Sequence, residues 1–235
     1  MNALEIAALG LRTDVRQLTV TGHNMANVST PGYKRQVLVQ PAFAGTFDAA
    51  AAAAARVETD LRAAKVSTTG RALDLALPEG SFLVVEREDG TQALTRQGSL
   101  QTDAAGILRT PAGHTVLGNG GAVTVRDPHT LSVDVAGRLL ADSQPFDTLR
   151  TVSLQPGAHA APIGDGLFDA DPAQWQPGAL RTGLRSGALE TSNVVSSQEM
   201  VTLMTTTRHA ETMVRLIQTA DEMLDKAIRR FGDTA

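Results

Sequence analysis

Apolar residues recur in alternating steps of four and three along the first thirty residues of the chain. Such a stripe lies on one side of an α-helix and is typical of a coiled-coil seam. At 1.5 Å per residue, a helix of this length runs to roughly 35–40 Å. The members of the stripe are Leu4, Ala8, Leu11, Val15, Leu18, Gly22 and Met25.

A second stripe with the same spacing follows near the C-terminus. Polar Thr207 and Asp221 occupy two positions of its register, and Asp221 is awkward at a seam position. Thr191 or Ser192 is predicted to cap the start of this helix, and Gly232 to end it. The apolar members are Met200, Leu203, Ala210, Val214, Ile217, Leu224, Ile228 and Phe231.

The free energy gained by burying either stripe is too small to order its helix in isolation. Five large buried residues contribute roughly 8–15 kcal/mol, whereas ordering about 25 backbone residues costs roughly 25–50 kcal/mol, only partly offset by helical hydrogen bonds. A core-facing helix of an ordinary domain is the alternative interpretation. We therefore expect each terminal helix to order against the other helix, another subunit, or both. The predicted subunit-packing residues are Leu4, Leu11, Val15, Leu18, Met25, Met200, Leu203, Val214, Ile217 and Leu224.

The middle of the chain has a different pattern. Residues 42–69, which include seven consecutive Ala at 49–55, predict a partly helical connector. From Leu73 the apolar period shifts towards two, and turn signals recur at regular intervals, which favours an antiparallel β domain of hairpins, either barrel or sandwich. Residues 82–85 form a compact buried-strand run. Later strands are predicted at 122–126, 130–135, 137–142 and 149–155, and 156–187 is predicted to be irregular.

Composition excludes several classes of function. The net charge is −4 without a basic cluster, which argues against nucleic-acid binding, and the pair Lys34-Arg35 is interpreted as solvated surface charge. The chain has no Cys, and no stretch is apolar enough to span a bilayer. Its N-terminal residues lack the pattern of a cleaved secretory signal, so we expect either a cytoplasmic protein or export by another route.

Candidate chemistry is equally sparse. The five His residues form no metal-ligand pair, and the turn at 118–121 lacks the ending of a phosphate loop. Three loop carboxylates, Asp165, Asp169 and Asp171, lack a calcium-loop pattern, and a hydrolase built on them is a remote alternative. The sequence predicts no catalytic residue, no metal site and no cofactor.

A turn motif follows the first helical stripe. Asn27 is predicted to cap the helix end in a left-handed conformation. Pro31 presets the first corner of a type II turn, and Gly32 supplies the positive φ of the second corner. The motif residues are Asn24, Asn27, Thr30, Pro31, Gly32 and Tyr33.

This motif, residues 24–35 as a whole, resembles the signature that follows the first helix in flagellar rod and hook proteins. Further segments resemble the same family in the family's order, and together they cover nearly the whole chain. One departure is Leu83, where family members commonly have an aromatic residue. The matching segments are residues 69–77, 80–85, 95–100, 106–108, 113–118, 187–194, 199–201 and 219–224.

The resemblance implies an α+β protein whose N- and C-terminal helices form a coiled-coil-like inner layer, with a central antiparallel β domain outside it. The implied segments are an N-terminal helix at 1–30, a turn motif and connector at 31–69, a β-rich domain at 70–187 and a C-terminal helix at 188–235. The implied function is a structural subunit of the bacterial flagellar basal-body rod, which polymerises axially and transmits torque from motor to hook. The shortness of the chain favours the proximal-rod type over the distal-rod type.

The same resemblance implies the partners and the location. The partners are further copies of the chain, other flagellar axial proteins of the rod and the hook side, and the flagellar type III export apparatus, which cleaves no signal. The location is the rod that crosses the periplasmic space. An alternative of another class remains open: a soluble β-domain binding protein that dimerises through its terminal helices.

Overall fold

The computed structural model describes residues 3–39, 55–125, 131–178 and 183–232. The chain forms two compact units. The first unit contains Met1–Ala26, Gln36–Glu58 and Val195–Ala235. The second unit contains Asn27–Arg35 and Thr59–Val194. Each unit is therefore built from segments that are distant in sequence.

The first unit is an antiparallel pair of helices with a short β-ribbon. Helix α1 spans Ala3–Ala26 and helix α2 spans Ser196–Gly232. The ribbon pairs β1 (Gln36–Val39) with β2 (Arg56–Thr59). Both terminal helices predicted from the apolar stripes are confirmed. The residues after Gly232 lie outside the described part of the chain, so the helix end at Gly232 stays a prediction.

The predicted start of the second helix is wrong. Helix α2 begins at Ser196 and not at Thr191 or Ser192. The backbone N–H of Thr191 instead donates to the carbonyl of Lys65, 2.8 Å away, because the residues before it belong to an antiparallel strand pair. Because this segment is held in an extended conformation, the helix begins about one turn later in the sequence than predicted.

The second unit is made of short antiparallel strands. The strands are β3 (Val66–Thr68), β4 (Leu75–Ala76), β5 (Ser81–Glu86), β6 (Gln92–Thr95), β7 (Gln101–Thr102), β8 (Leu108–Arg109), β9 (Thr115–Gly118), β10 (Gly121–Ala122), β11 (Leu131–Val133), β12 (Arg138–Ala141), β13 (Gln144–Thr148), β14 (Thr151–Leu154), β15 (Ala161–Gly164), β16 (Leu167–Asp169), β17 (Trp175–Pro177), β18 (Arg185–Ser186) and β19 (Ala188–Glu190). The largest sheet has the order β15-β16-β6-β5-β9-β8-β7, with β14 beside β5, β17 beside β14 and β10 beside β9. Smaller sheets are β11-β12-β13, β18-β4 and β19-β3.

The predicted class, α+β with a central antiparallel β region, is confirmed at this level. Across the described ranges the strands form open sheets and not the closed barrel that was one of the two expectations. The coiled-coil-like layer stays a prediction.

Strand β5 organises the core because it is buried on both faces. Leu83 and Val85 pack into one apolar cluster, and Phe82 and Val84 pack into a second. The Phe82 and Phe168 rings meet edge to face at 5.8 Å between centroids. This double burial explains why residues 82–85 form an unbroken apolar run and not an alternating one.

The described part of the connector, residues 55–69, contains strands β2 and β3. Residues 40–54, which hold nearly all of the Ala run, lie outside the described part of the chain, so the partly helical connector stays a prediction. The prediction of an irregular segment at 156–187 is wrong, because this segment contains β15 to β18 and a 3₁₀ turn at Pro172–Gln174. Strand β13 was also missed. Strands β13, β15 and β17 are difficult to predict because each contains a Pro. All three lie at sheet edges, where the missing N–H of Pro is tolerated.

No helix in the described ranges is both long and apolar enough to cross a membrane.

Candidate functional site

The face that α1 turns towards α2 is lined by small and polar residues. A methyl group added to Gly10 would lie 3.6 Å from Met213 Sδ, so the two helices pack closely there. Asp14 Oδ2 lies 2.7 Å from His209 Nδ1, and the Asn24 amide donates to Glu199 Oε2 at 3.2 Å. Ala7 and Thr21 are buried on the same register of threes and fours. Small and polar residues of α1 therefore make several of the close contacts between the helices.

The residues of the apolar stripe predicted on α1 come one position after the residues of this register. Each residue turns an α-helix by about 100°, so Val15 points away from the direction of buried Asp14. The Val15 side chain is 54% exposed. Leu4, Leu11, Leu18 and Met25 are half-buried. The helix pair thus leaves apolar surface of α1 uncovered.

The predicted stripe on α2 is divided between two faces. Leu203 and Ile217 are half-buried, together with Met213 and Ala220, which take register positions assigned in the prediction to Val214 and Asp221. Asp221 is exposed, which removes the conflict of a carboxylate at a seam position. Met200 and Val214 remain 49% and 39% exposed. The side chain of Leu224 lies outside the described part of the chain.

An open groove of about 380 Å³ runs between the two helices. Leu18 of α1 and Ala210 and Val214 of α2 supply its apolar lining. Glu211, Arg215, Gln218 and Thr207 supply the polar part. An apolar groove with a polar margin suits the side chains of a further helix.

The end of α1 is tied down by the side chain of Asn24. Its Nδ2 atom donates to the Gln36 carbonyl at 2.8 Å, and its Oδ1 atom accepts from the Gln36 N–H at 2.8 Å. The amide thus pairs with one residue of β1 as a neighbouring strand would. Asn24 is 1% exposed, so these bonds satisfy groups that cannot reach water.

The predicted type II turn is confirmed. The Tyr33 N–H donates to the Thr30 carbonyl at 3.2 Å, and Gly32 has φ +72°. The expectation that Asn27 is left-handed is wrong, because Asn27 is not among the described non-glycine residues with positive φ, which are Asp142, Ser143 and Asp165. Asn27 instead accepts from Thr30 twice, from its N–H at the backbone carbonyl and from its hydroxyl at Oδ1, both at 3.1 Å.

Gly32 also lies against the segment that follows β6 in the second unit. A methyl group added to Gly32 would lie 2.5 Å from the Arg96 carbonyl oxygen and 2.8 Å from the Gln97 nitrogen. The Gly32 N–H donates to the Glu190 carbonyl at 2.8 Å. Only glycine allows this turn to approach the backbone so closely.

A buried ion cluster, missed from the sequence, lies beside the turn motif. Lys34 Nζ is 2.7 Å from Glu190 Oε1, and Arg96 donates to Glu190 Oε2 from Nε at 2.8 Å and from Nη2 at 2.6 Å. The Lys34 and Glu190 side chains are 0% and 3% exposed. The interpretation of Lys34 as solvated surface charge is therefore wrong. The signal available was its position inside the turn motif, because a residue in a fixed turn has a restricted direction.

Burial and hydrogen bonding oppose each other in this cluster. Burial lowers the pKa of Lys34, and the hydrogen bond to Glu190 only partly offsets that effect. Burial alone would raise the pKa of Glu190, but the charge of Arg96, the Ala64 N–H at 2.9 Å and Lys34 together lower it. The carboxylate is thus held ionised by donors on three separate segments.

Comparison with known proteins decides the family. The flagellar basal-body rod protein FlgF of Salmonella typhimurium is 30% identical to the chain over 228 residues, which cover 88% of this chain and 89% of the relative. The chain belongs to the flagellar basal-body rod protein family. FlgF of Escherichia coli is 28% identical over 231 residues, covering 91% of each chain. FlgG of Bacillus subtilis, also named a basal-body rod protein, is 28% identical over 251 residues, covering 93% of this chain and 95% of the relative.

Two family descriptions match parts of this rod protein. Residues 185–230 match the C-terminal region of the flagellar basal-body rod FlgEFG proteins, and residues 79–141 match the D1 domain of the flagellar hook protein FlgE/F/G. The first match contains most of α2, and the second contains β5 to β12. These relatives are structural proteins of the rod and not enzymes, and they give no support to the binding-protein alternative.

The loop carboxylates do not gather into a site. Asp171 accepts from the Ala173 N–H at 2.9 Å and so caps the 3₁₀ turn, and Asp169 is exposed on β16. Asp165 Oδ2 lies 3.7 Å from His114 Nε2. Within the described ranges no three His, Asp or Glu residues are grouped so that they could hold a metal ion.

Proposed function

We propose that this rod protein polymerises axially through its helix pair and thereby transmits torque from motor to hook. The observation that carries the proposal is that α1 contacts α2 through one face and has its apolar stripe on a neighbouring face. Small and polar residues contact α2, and the apolar stripe beside them is left partly open. A neighbouring subunit that covers this stripe and the groove would bury the apolar surface that remains exposed in a single chain.

Burial of these exposed apolar side chains contributes part of the free energy of each contact between subunits. Full burial of one large aliphatic side chain contributes about 1.5–3 kcal/mol. Val15, Met200 and Val214 are each about half-exposed, so each adds roughly 1 kcal/mol on contact. A helical polymer repeats one such heterologous contact at every subunit, and contacts above and below each subunit add together. The ten predicted subunit-packing residues stay the proposed contact residues.

The proposed partners are other copies of this chain and other flagellar axial proteins of the rod and the hook side. The names of the relatives support a basal-body location, and we place the subunit in the rod that crosses the periplasmic space. Delivery by the flagellar type III export apparatus, without signal cleavage, belongs to the same proposal. A helix pair whose contact face is small and polar is consistent with export of an unfolded chain, because it gains much of its order on assembly.

Within the family, the FlgF type fits better than the FlgG type. The alignments with FlgF run over 228 and 231 residues, whereas that with FlgG runs over 251 residues, which exceeds the 235 residues of this chain. All three relatives contain residues that this chain lacks, and the FlgG relative contains the most of them. The same shortness favoured the proximal-rod type from the sequence, and that assignment stays a proposal.

Substitution of Val15 by Asp tests the proposal. The carboxylate would lie on the open stripe, where a neighbouring subunit would bury it without a partner, which costs several kcal/mol. We expect normal secretion and normal folding of the second unit, but no rod and no swimming. The matched control is Arg16→Asp, because Arg16 is exposed on the polar side of the same helix and its charge changes by more.

Basal bodies isolated from both strains provide the readout. Their protein content, measured by quantitative mass spectrometry, should contain the Arg16→Asp chain at wild-type copy number and lack the Val15→Asp chain. Wild-type incorporation of Val15→Asp would refute the assembly surface. A chain absent from wild-type basal bodies but dimeric in solution would favour the binding-protein alternative.

A further inference from the structure

Two segments that lead to the helices meet at the buried ion cluster. Lys34 lies in the segment that follows α1, and Glu190 ends β19, shortly before α2 begins. Arg96 lies just after β6 and belongs to the sheet. One carboxylate therefore joins the outgoing segment of α1, the incoming segment of α2 and the main sheet.

Further hydrogen bonds join the same segments. The Arg35 N–H donates to Asn193 Oδ1 at 2.7 Å, and Asn193 Nδ2 donates to the Asp60 carbonyl at 2.9 Å. Lys34 Nζ donates to the Arg62 carbonyl at 2.8 Å. The segment around residues 60–65 is thus held between the other two. Every one of these contacts lies within the second unit.

The charges in the cluster do not balance. Two cations face one buried carboxylate, and the Asp60 carboxylate acts on Lys34 only from a distance. Buried ion groups of this kind rarely add stability beyond what apolar residues of the same volume provide. What they add is direction, because each donor must meet a particular oxygen. The cluster is therefore better suited to fixing an arrangement than to strengthening a core.

Arg96 extends this restraint into the sheet. Its Nη1 atom donates to the Ser81 carbonyl at 2.5 Å and to the Pro78 carbonyl at 3.1 Å. The guanidinium carbon lies 5.7 Å from the centre of the Phe82 ring. Its Nη2 atom also donates to the Leu77 carbonyl at 3.4 Å, which makes five hydrogen bonds from this side chain. Arg96 therefore links Glu190 to the start of β5.

We propose that Lys34, Arg96 and Glu190 are positioning residues for rod assembly. They hold the segment that follows α1 and the segment that precedes α2 in one arrangement on the sheet, so that these two segments have the same geometry in every subunit. This inference rests on the proposed function, because it assigns the cluster a role in the same assembly. The turn motif contributes by letting Gly32 approach Arg96, which brings Lys34 to the carboxylate.

The test uses the full-length Lys34→Met chain. Removal of Lys34 leaves a balanced Arg96–Glu190 pair, so the second unit should fold. The matched control is Arg62→Met, which removes the neighbouring ion pair with Asp60, in which the Arg62 side chain is 83% exposed. Hydrogen exchange should show at least a tenfold increase in opening at the Gly32, Arg35 and Thr191 amides of Lys34→Met, with the amides of β5 unchanged. The control should show neither effect.

Assembly is measured in the same strains by the amount of chain in isolated basal bodies. We expect Lys34→Met to be secreted but incorporated at a tenth of the wild-type level or less. Uniformly faster exchange that includes β5 would overturn the inference, since the cluster would then be merely structural. Normal incorporation despite local opening would overturn it as well.

A second variant covers the case in which Lys34→Met does not fold. Arg96→Lys keeps the charge but loses the paired donors, so the same amides should open by a smaller factor; unchanged exchange in this variant would contradict the positioning role. Val15→Asp separates this inference from the proposed function. That variant should block incorporation with wild-type exchange at Gly32, and its normal incorporation would refute the assembly surface, whatever Lys34→Met does.

Discussion

Replacement of Gly32 by Ala tests whether the turn motif is held against the sheet. Gly32 has φ +72°, and its added methyl group would lie 2.5 Å from the Arg96 carbonyl oxygen, 2.7 Å from the carbonyl carbon and 2.8 Å from the Gln97 nitrogen. Arg96 cannot withdraw freely because its side chain is fixed by Glu190. The substitution therefore adds a steric conflict with backbone atoms to the cost of a left-handed Ala.

Gly80 separates these two costs. It has the same φ of +72°, and nothing lies within 4 Å of its added methyl group. The left-handed conformation costs a non-glycine residue about 1–2 kcal/mol, and reduced freedom of the unfolded chain returns about 0.4–1 kcal/mol. Gly80→Ala should thus reduce the free energy of unfolding by about 0–1.5 kcal/mol. Overpacking adds about 1–3 kcal/mol, so Gly32→Ala should reduce it by about 1–4.5 kcal/mol.

The assay is urea unfolding followed by fluorescence of Trp175, the single Trp of the chain, which lies in the second unit and donates from Nε1 to the Ala170 carbonyl at 3.1 Å. In a thermal melt, each kcal/mol corresponds to about 2–4 °C for a protein of this size. Equal unfolding free energies of the two variants, within about 0.5 kcal/mol, would refute the close approach. A less stable Gly80→Ala would refute it more strongly.

Three further outcomes are expected. The pKa of Glu190 is lowered from its ordinary value of 4.5, so the stability that its ionised form contributes is complete above that pH and is lost as the pH falls through the folded-state pKa. Glu190→Gln should therefore lose less unfolding free energy as the pH falls in acid unfolding titrations. An unchanged slope of unfolding free energy against pH would contradict this. Phe82→Ala should cost about 3–5 kcal/mol in urea unfolding, since Phe82 is 1% exposed, whereas Phe146→Ala, at 43% exposed, should cost less than about 1 kcal/mol; similar costs would argue against the two-sided core. Asn24→Ala should leave the Gln36 backbone groups unpaired at a cost of about 1–3 kcal/mol and accelerate exchange of the Gln36 amide; slow exchange in this variant would exclude the pairing.

The elements that could be predicted from the sequence are those with a strong local signal. The helices carry long apolar stripes, β5 carries an unbroken apolar run, and the turn at Thr30 to Tyr33 requires both Pro31 and Gly32. Each of these signals lies within a few residues of its own element. The family could be recognised because its motifs occur in order along the chain.

The parts that could not be predicted depend on contacts between distant segments. Strand β19 pairs with β3 across more than a hundred residues, so neither strand has a pattern of its own and the start of α2 was placed too early. Lys34 looks like surface charge until Glu190 and Arg96 are brought beside it. The rotation between the contact face and the apolar stripe of α1 was hidden because Ala7, Gly10, Asp14 and Thr21 do not look like the interior of a helix pair.

That rotation has a consequence for how a rod grows. In the assembly proposed above, a subunit with partly exposed aliphatic side chains would complete its folding on a surface supplied by its predecessors. The growing tip would then act as a template that orders a newly arrived chain and so creates the next template. On this proposal, the order of addition would depend on where that surface is available.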